Sequence, residues 1–465
     1  MPDLRLCDLS VADAADRLRR RQLSPVELAE AVLARIDAAN PELNAYTTLV
    51  PPDAVLDAAR AAERDIARGA WRGPLHGIPA GVKDLIDTAG LRTTYGSGMF
   101  ADYVPTRDGA MPERLRAAGA VIVGKTATHE LGKGITTNNH FYGTTRNPWN
   151  PDHVPGGSSG GSAAAAAAGM GPLQIGTDGG GSIRIPAAFC GLVGYKPTRG
   201  LLSNRGQFGD GNVSYAVPGP LARSVRDAAL IAQALAGFDP EYAFSRPAPP
   251  PDLLAELGGG VRGLRVGVSP DFLAVEPDPP VLAAYEAAVG RLVGLGARRV
   301  EVRMPNHERV TRAIGIAFAT EGDTQFEKLA GDRPRVFGPL VARMQAAARP
   351  PDVALCVRGL QERARIEQDY AAAFLAADVL VLPTVPVSAP RVDADETIAM
   401  LRCVAYTGAA NLTGMPAVAL PAGFVDGLPV SVQVCAPLGA DALALRVAAA
   451  LEQAAPEHHV QTPAR

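Results

Sequence analysis

Two glycine-rich runs, GGSSGGS at 156–162 and GTDGGGS at 176–182, flank an alanine-rich stretch, and each ends on serine. Glycine at this density costs backbone entropy and contributes no packing. The runs are therefore either flexible loops or places where bare N–H groups must come close to a ligand. Ser182 follows Gly179, Gly180 and Gly181. A nest of N–H groups there would hold a developing oxyanion, at about 3 kcal/mol for each donor lost; a turn with a helix cap is the plainer alternative. GGSSG fits G-x-S-x-G formally, but a nucleophile elbow needs an apolar strand before it and an acid and a histidine after it. Here the loop NPWNPDHVP precedes, and the downstream histidines are His307 and the tail pair His458 and His459. Neither run is followed by the Lys-Ser or Lys-Thr of a P-loop.

A serine without histidine needs another base, and lysine serves when burial disfavours its charged form. The chain has only five lysines among 45 Lys plus Arg: Lys83, Lys125, Lys133, Lys196 and Lys328. Four of the five lie between residues 83 and 196, the stretch that holds both glycine runs. Lys83 in GIPAGVKDL, with Gly77, Pro79 and Gly81 behind it, suits a half-buried strand end. A surface lysine beside Asp84 is the ordinary alternative. Lys125 in VIVGKT and Lys196 in GYKPT read as surface lysines.

The elements that must position these residues alternate strand and helix. LSPVELAEAVLARIDAAN predicts a helix capped by Ser24 with Pro25 at its first position. AVIVG and DVLVLPT read as short buried strands, and GMPAVALPAGF with PVSVQVCAP as a strand pair. The pattern implies α/β: one large domain with a mixed β-sheet wrapped by helices. Along the chain, residues 1–70 read as a helical segment packing on the core, 71–240 as the catalytic core, 241–375 as a variable, mostly helical insertion and substrate region in which LRVGVS reads as a strand, and 376–465 as strands and a helix completing the same domain.

A net charge of −3 exerts no pull on nucleic acid or anionic membrane, and no basic block or apolar span occurs. The N-terminus lacks the apolar region of a signal peptide. Five cysteines without CxxC spacing point to a reducing, cytoplasmic setting and to no metal site. No cofactor is expected.

Together GIPAGVKD, PGGSSGGSAAAAAAG and IGTDGGGSIRIPAAFCGLVGYKPT resemble the amidase signature family, in that family's order and closely over residues 75–200. The resemblance implies a Ser-Ser-Lys triad: Ser182 as nucleophile, Ser158 as the bridging serine after a cis peptide bond, and Lys83 as base. It implies an oxyanion hole from the N–H groups of Gly179, Gly180, Gly181 and Ser182. Asp178 and Arg184 flank the nucleophile as a pair bracing its turn, and Ser159 and Ser162 read as capping or packing serines. The loop before the signature, LGKGITTNNHFYG at 131–143, lines the acyl pocket in the family. That places Gly132, Gly134, Ile135 and Thr136 at the substrate, with Lys133 the only charge in the loop. The expected activity is hydrolysis of a small neutral amide, anilide or carbamate. One alternative is the glutaminase subunit of a tRNA-dependent amidotransferase; a lesser one is a non-catalytic binding protein of the same fold. The expected partner is a small-molecule substrate, and a homodimer stays open.

Overall fold

The computed structural model describes residues 2–304, 307–347 and 352–458; His459 lies outside them. Thirteen strands are described: β1 Tyr46–Leu49, β2 Pro79–Lys83, β3 Val121–Thr126, β4 Asn138–Asn139, β5 Gly143–Thr144, β6 Leu173–Asp178, β7 Val193–Lys196, β8 Val217–Ala222, β9 Arg265–Val268, β10 Arg298–Glu301, β11 Val379–Pro383, β12 Ala417–Val425 and β13 Leu428–Cys435. Eleven form one sheet in the order β1-β3-β2-β6-β8-β7-β12-β13-β11-β9-β10, while β4 and β5 pair separately. The sheet is mixed, as the sequence implied: β3, β2 and β6 run parallel, as do β11, β9 and β10, with antiparallel pairs between and at the β1 edge.

Both faces of the sheet are covered. Successive side chains of a strand point to opposite faces, and in β11 Val379 and Val381 join one apolar cluster while Leu380 and Leu382 join another. The first cluster packs under the helices Val225–Leu235, Pro279–Gly294 and Asp441–Ala454. The second packs under His307–Ala317, Val353–Ala376 and Glu396–Thr413. The helix at Pro25–Leu43 starts as its sequence predicts: Val26 N–H donates to Ser24 Oγ, and Ser24 N–H donates to the Glu27 carboxylate.

The N-terminal segment supplies an edge strand, β1, that its helical pattern did not suggest, and the mostly helical 241–375 region supplies at the opposite edge β9, the strand expected at LRVGVS, and β10. Each of the four stretches of the chain thus contributes to one sheet, and among the described residues no independent second core forms. Tyr46–Leu49 is too short, at 4 residues, to show an alternating pattern against the helices around it.

Candidate active site

Lys83 ends β2 and Asp178 ends β6, and these strands run side by side in parallel with Val82 opposite Ile175. Ligand sites of α/β sheets gather at the carboxyl ends of such strands. Lys83 is fully buried, and its Nζ lies 2.7 Å from Ser158 Oγ and 3.0 Å from Thr177 Oγ1. Burial holds its pKa well below the ordinary lysine value, against the opposing pull of Asp178. The Gly157–Ser158 peptide bond is cis, and Ser158 O accepts from His129 N–H and Thr128 Oγ1–H.

The alanine-rich stretch forms the helix Gly160–Ala167, every residue of which is buried. Gly161 must be glycine because a Cβ there would overlap the backbone of Ala127 and Ala45. Ser159 Oγ donates to Thr177 O and accepts from Thr177 N–H, so it ties the helix start to β6 rather than capping the helix. Ser162 Oγ donates to Ile175 O and sits 2.6 Å from Thr126 Oγ1. Both serines cross-link helix and sheet.

Asp178 and Arg184 form a fully buried bidentate pair, Nε to Oδ2 at 3.0 Å and Nη2 to Oδ1 at 3.1 Å. Arg184 also donates to Gln433 Oε1, Thr407 O and Asn411 Oδ1. Asn411 Nδ2 donates to Asp178 and to Tyr215 O. Burying two charges is costly, and here their mutual pairing and these added hydrogen bonds offset that cost. Burial pushes the Asp178 carboxyl up, but Arg184 and Asn411 outweigh it and hold the group below the usual range.

One element of the expected oxyanion hole is corrected. Gly181 N–H donates to Asp178 Oδ1 at 2.7 Å and so is not free for a substrate. Gly181 instead shapes the turn at φ +124°, a conformation that favours glycine. Among the described residues no hydrogen bond engages the N–H groups of Gly179, Gly180 or Ser182. Lys125 and Lys196 are corrected too: both are buried, not surface lysines. Burial lowers Lys125 to about 8 and Lys196 to about 7. Lys125 Nζ donates to Ile86 O, Thr88 Oγ1 and Thr93 Oγ1 and so fastens the loop after Lys83.

Ser182 is half-buried and lies where two cavities meet. Gly132, Lys133 and Phe318 also line both. The larger, about 430 Å³, is walled by Ile135, Ile185, Ile314, Met400, Leu401 and Val404. The smaller, about 60 Å³, is lined by Ser158, Thr177, Gly179, Phe208 and Tyr215 among others. Gly134 lines the larger cavity. Thr136 lines neither: its hydroxyl donates to Glu396 Oε2 and it faces a separate cleft.

Sequence reasoning placed a substrate region in the helical part of the chain but named none of its wall residues. Phe318 stands in a π-helical turn, Phe318–Gly322, between helices His307–Ala317 and Asp323–Ala330, a feature frequent at functional sites. Only its aromatic character marked it, because its neighbours become wall residues through tertiary packing alone.

Known proteins share this fold, and they define the class. The Amidase family model matches residues 27–445, and the chain belongs to the amidase signature family. It is therefore an amidase signature hydrolase acting on C–N bonds. The chain is 40% identical to a subunit of the glutamyl-tRNA(Gln) amidotransferase of Chloroflexus aggregans, over 97% of each chain. Among solved structures, a bacterial aryl acylamidase aligns with TM-score 0.89 at 28% identity, covering 97% of this chain and 98% of that one. The corresponding amidotransferase subunit of Thermotoga maritima superposes with TM-score 0.82 at 30% identity, over 97% and 96%. Among the described residues no helix is long and apolar enough to cross a membrane.

Proposed function

We propose that the chain hydrolyses amides through an acyl-enzyme on Ser182, with Ser158 relaying protons and Lys83 as base. The carrying observation is the 2.7 Å approach of a fully buried lysine to Ser158, in a cavity that Ser182 shares. A buried lysine is poised to be neutral, so its lone pair accepts the Ser158 proton as Ser158 accepts that of Ser182. Ser182 Oγ then bonds to the carbonyl carbon, and the N–H groups of Gly179, Gly180 and Ser182 receive the oxyanion. The C–N bond breaks with its electron pair leaving on nitrogen, which takes a proton through Ser158. Water repeats the relay and frees the acid.

The acyl half fits a neutral apolar group. The larger cavity is lined mainly by aliphatic side chains, and its charges, Lys133 and Asp323, pair with one another at 2.7 Å. A second reading is an amidotransferase subunit that releases ammonia from glutamine. The curated relatives, named as amidotransferase subunits, support that reading better than the first. The aryl acylamidase likeness and the apolar lining support the first. Nothing among these relatives bears on carbamates.

Turnover by the purified chain alone separates the two readings. Hydrolysis of phenylacetamide or hexanamide, with glutamine untouched, is the expected result. Glutaminase activity that emerges only beside a partner subunit, with no hydrolysis of apolar amides, would refute the first reading.

A further inference from the structure

Two short segments meet beside the glycine turn and divide their side chains between two sides. In the stretch 212–216, Val213, Tyr215 and Ala216 line a cavity at Ser182, while Asn212 and Ser214 line a groove behind it. The π-helical turn Phe318–Gly322 divides likewise: Phe318 and Gly322 line the cavity, Thr320 and Glu321 the groove.

The joint between the segments is polar. Ser214 N–H donates to Glu321 Oε2 and Ser214 Oγ–H to Glu321 Oε1, both at 2.6 Å. Hydrogen bonds to an ionised acceptor are the strong kind, and two of them fix direction as well as distance. From another side Arg199 Nη1 donates to Ser214 O at 2.7 Å, and Arg363 donates to Ser214 O and Oγ. Three charged side chains thus grip one serine that lies outside the cavity.

What the joint brings together is aromatic. The Tyr215 and Phe318 ring centroids lie 4.6 Å apart. Both rings press on the glycine turn: a Cβ on Gly179 would lie 3.3 Å from the Tyr215 ring and 3.4 Å from the Phe318 ring. One on Gly180 would lie 3.5 Å from Phe318. Gly322 must be small, because a Cβ there would come within 2.5 Å of the Tyr215 hydroxyl oxygen. Gly179 and Gly180 carry two of the N–H groups assigned to the oxyanion. Glycine is the freest of residues to turn, and a donor contributes to catalysis only when it is already aimed. We infer that Glu321 is a positioning residue for these donors: its tie to Ser214 holds Tyr215 and Phe318 against Gly179 and Gly180 and so keeps their N–H groups in place. This rests on the acyl-enzyme reading above and deepens it.

The test reads kcat and KM for phenylacetamide beside the Ki of benzyl trifluoromethyl ketone. Ser182 Oγ adds to that ketone's carbonyl carbon, gives its proton to the relay and leaves the carbonyl oxygen as an oxyanion. Glu321→Ala is expected to lower kcat about 10²-fold, as a donor misplaced by ~1 Å allows, with KM little changed. The Ki should rise in parallel, because the adduct imitates the transition state and the substrate does not. Glu321→Gln, which keeps one acceptor oxygen of two, and Ser214→Ala, which removes one donor, should fall between this variant and wild type. A rise in KM at constant kcat, or a Ki unmoved in a folded variant, overturns the inference while the acyl-enzyme reading stands. Ser214→Ala carries the same two outcomes where Glu321→Ala fails to fold. Where glutamine is the amide hydrolysed, the same split is read with glutamine. If wild type hydrolyses neither amide and does not bind the ketone, the acyl-enzyme reading falls and takes the inference with it.

Discussion

The floor of the site and its wall are built on opposite principles. On the floor, Lys83, Thr177 and Asp178 stand on neighbouring parallel strand ends, and each polar group is tied to another by a hydrogen bond. On the wall, Ile314, Phe318, Met400 and Val404 come from helices distant in sequence and meet the cavity through apolar surface alone. At its mouth Leu401 and Met344 remain exposed. A cross-tied floor fixes reacting atoms to fractions of an ångström, which chemistry needs. A wall held by shape sets which molecule fits and tolerates exchange of one apolar residue for another. Floor substitutions should therefore act on kcat, and wall substitutions on KM.

The largest effect that this contrast demands is at Ser182. Ser182→Ala is expected to cut kcat by about 10⁴-fold or more and to abolish covalent labelling by a fluorophosphonate. Labelling that persists would move the nucleophile elsewhere.

Lys83→Met is next, with kcat falling about 10²–10⁴-fold and substrate KM little changed. Two pH signatures accompany it. Wild-type activity should fall as pH drops through the lowered Lys83 pKa, because only neutral lysine accepts a proton. Stability responds to the same group. The unfolded chain binds the Lys83 proton below its ordinary value of 10.5, while the folded chain sheds it at lower pH. Between these values unfolding takes up a proton, so this lysine contributes stability that rises with pH. The variant lacks that contribution. Its Tm relative to wild type should therefore be most favourable at low pH and decline toward pH 10.5. A difference that is flat with pH would mean a charged Lys83 in the fold.

Wall changes should be smaller. Met400→Ala is expected to lower kcat/KM about tenfold for the longest apolar acyl group, through KM. A fall in kcat at constant KM would erase the distinction between wall and floor. Smallest of all is Lys133→Met, which breaks the 2.7 Å pair with Asp323 across the cavity. A part-exposed pair of this kind is worth within about 1 kcal/mol, so KM for neutral amides should shift by less than ~10-fold. A larger loss confined to charged substrates would favour the amidotransferase reading.

The same division explains what the sequence made legible. Glycine, serine and lysine sit on the floor within about one hundred residues, and their types point to close backbone approach and to the proton relay proposed above. Asp178 and Arg184 were readable as neighbours of Ser182, though their further partners, Asn411 and Gln433, lie over two hundred positions away. The Gly181 amide looked like its neighbours; only the Asp178 carboxylate turning back onto it distinguishes the donor that is spent. Lys125 and Lys196 carried no local sign of burial, because what covers them is tertiary. Thr136 shared the loop of Gly134 and Ile135 but turns to Glu396 at a bend in that loop. The wall helices had apolar periodicity that suited any core.

The helix Gly160–Ala167 is filled with alanines between its serine and the next turn. An alanine side chain has no rotamers to freeze and none to hop between. The distance from Ser158 to the sheet is therefore set by backbone contact and by the Ser159 and Ser162 cross-links, with few other side chains to repack. It also leaves a lineage no small step by which to adjust that distance, since each added methyl must displace a neighbour. Change of substrate is thereby channelled into the helical wall, and the spacing of the two serines stays outside its reach.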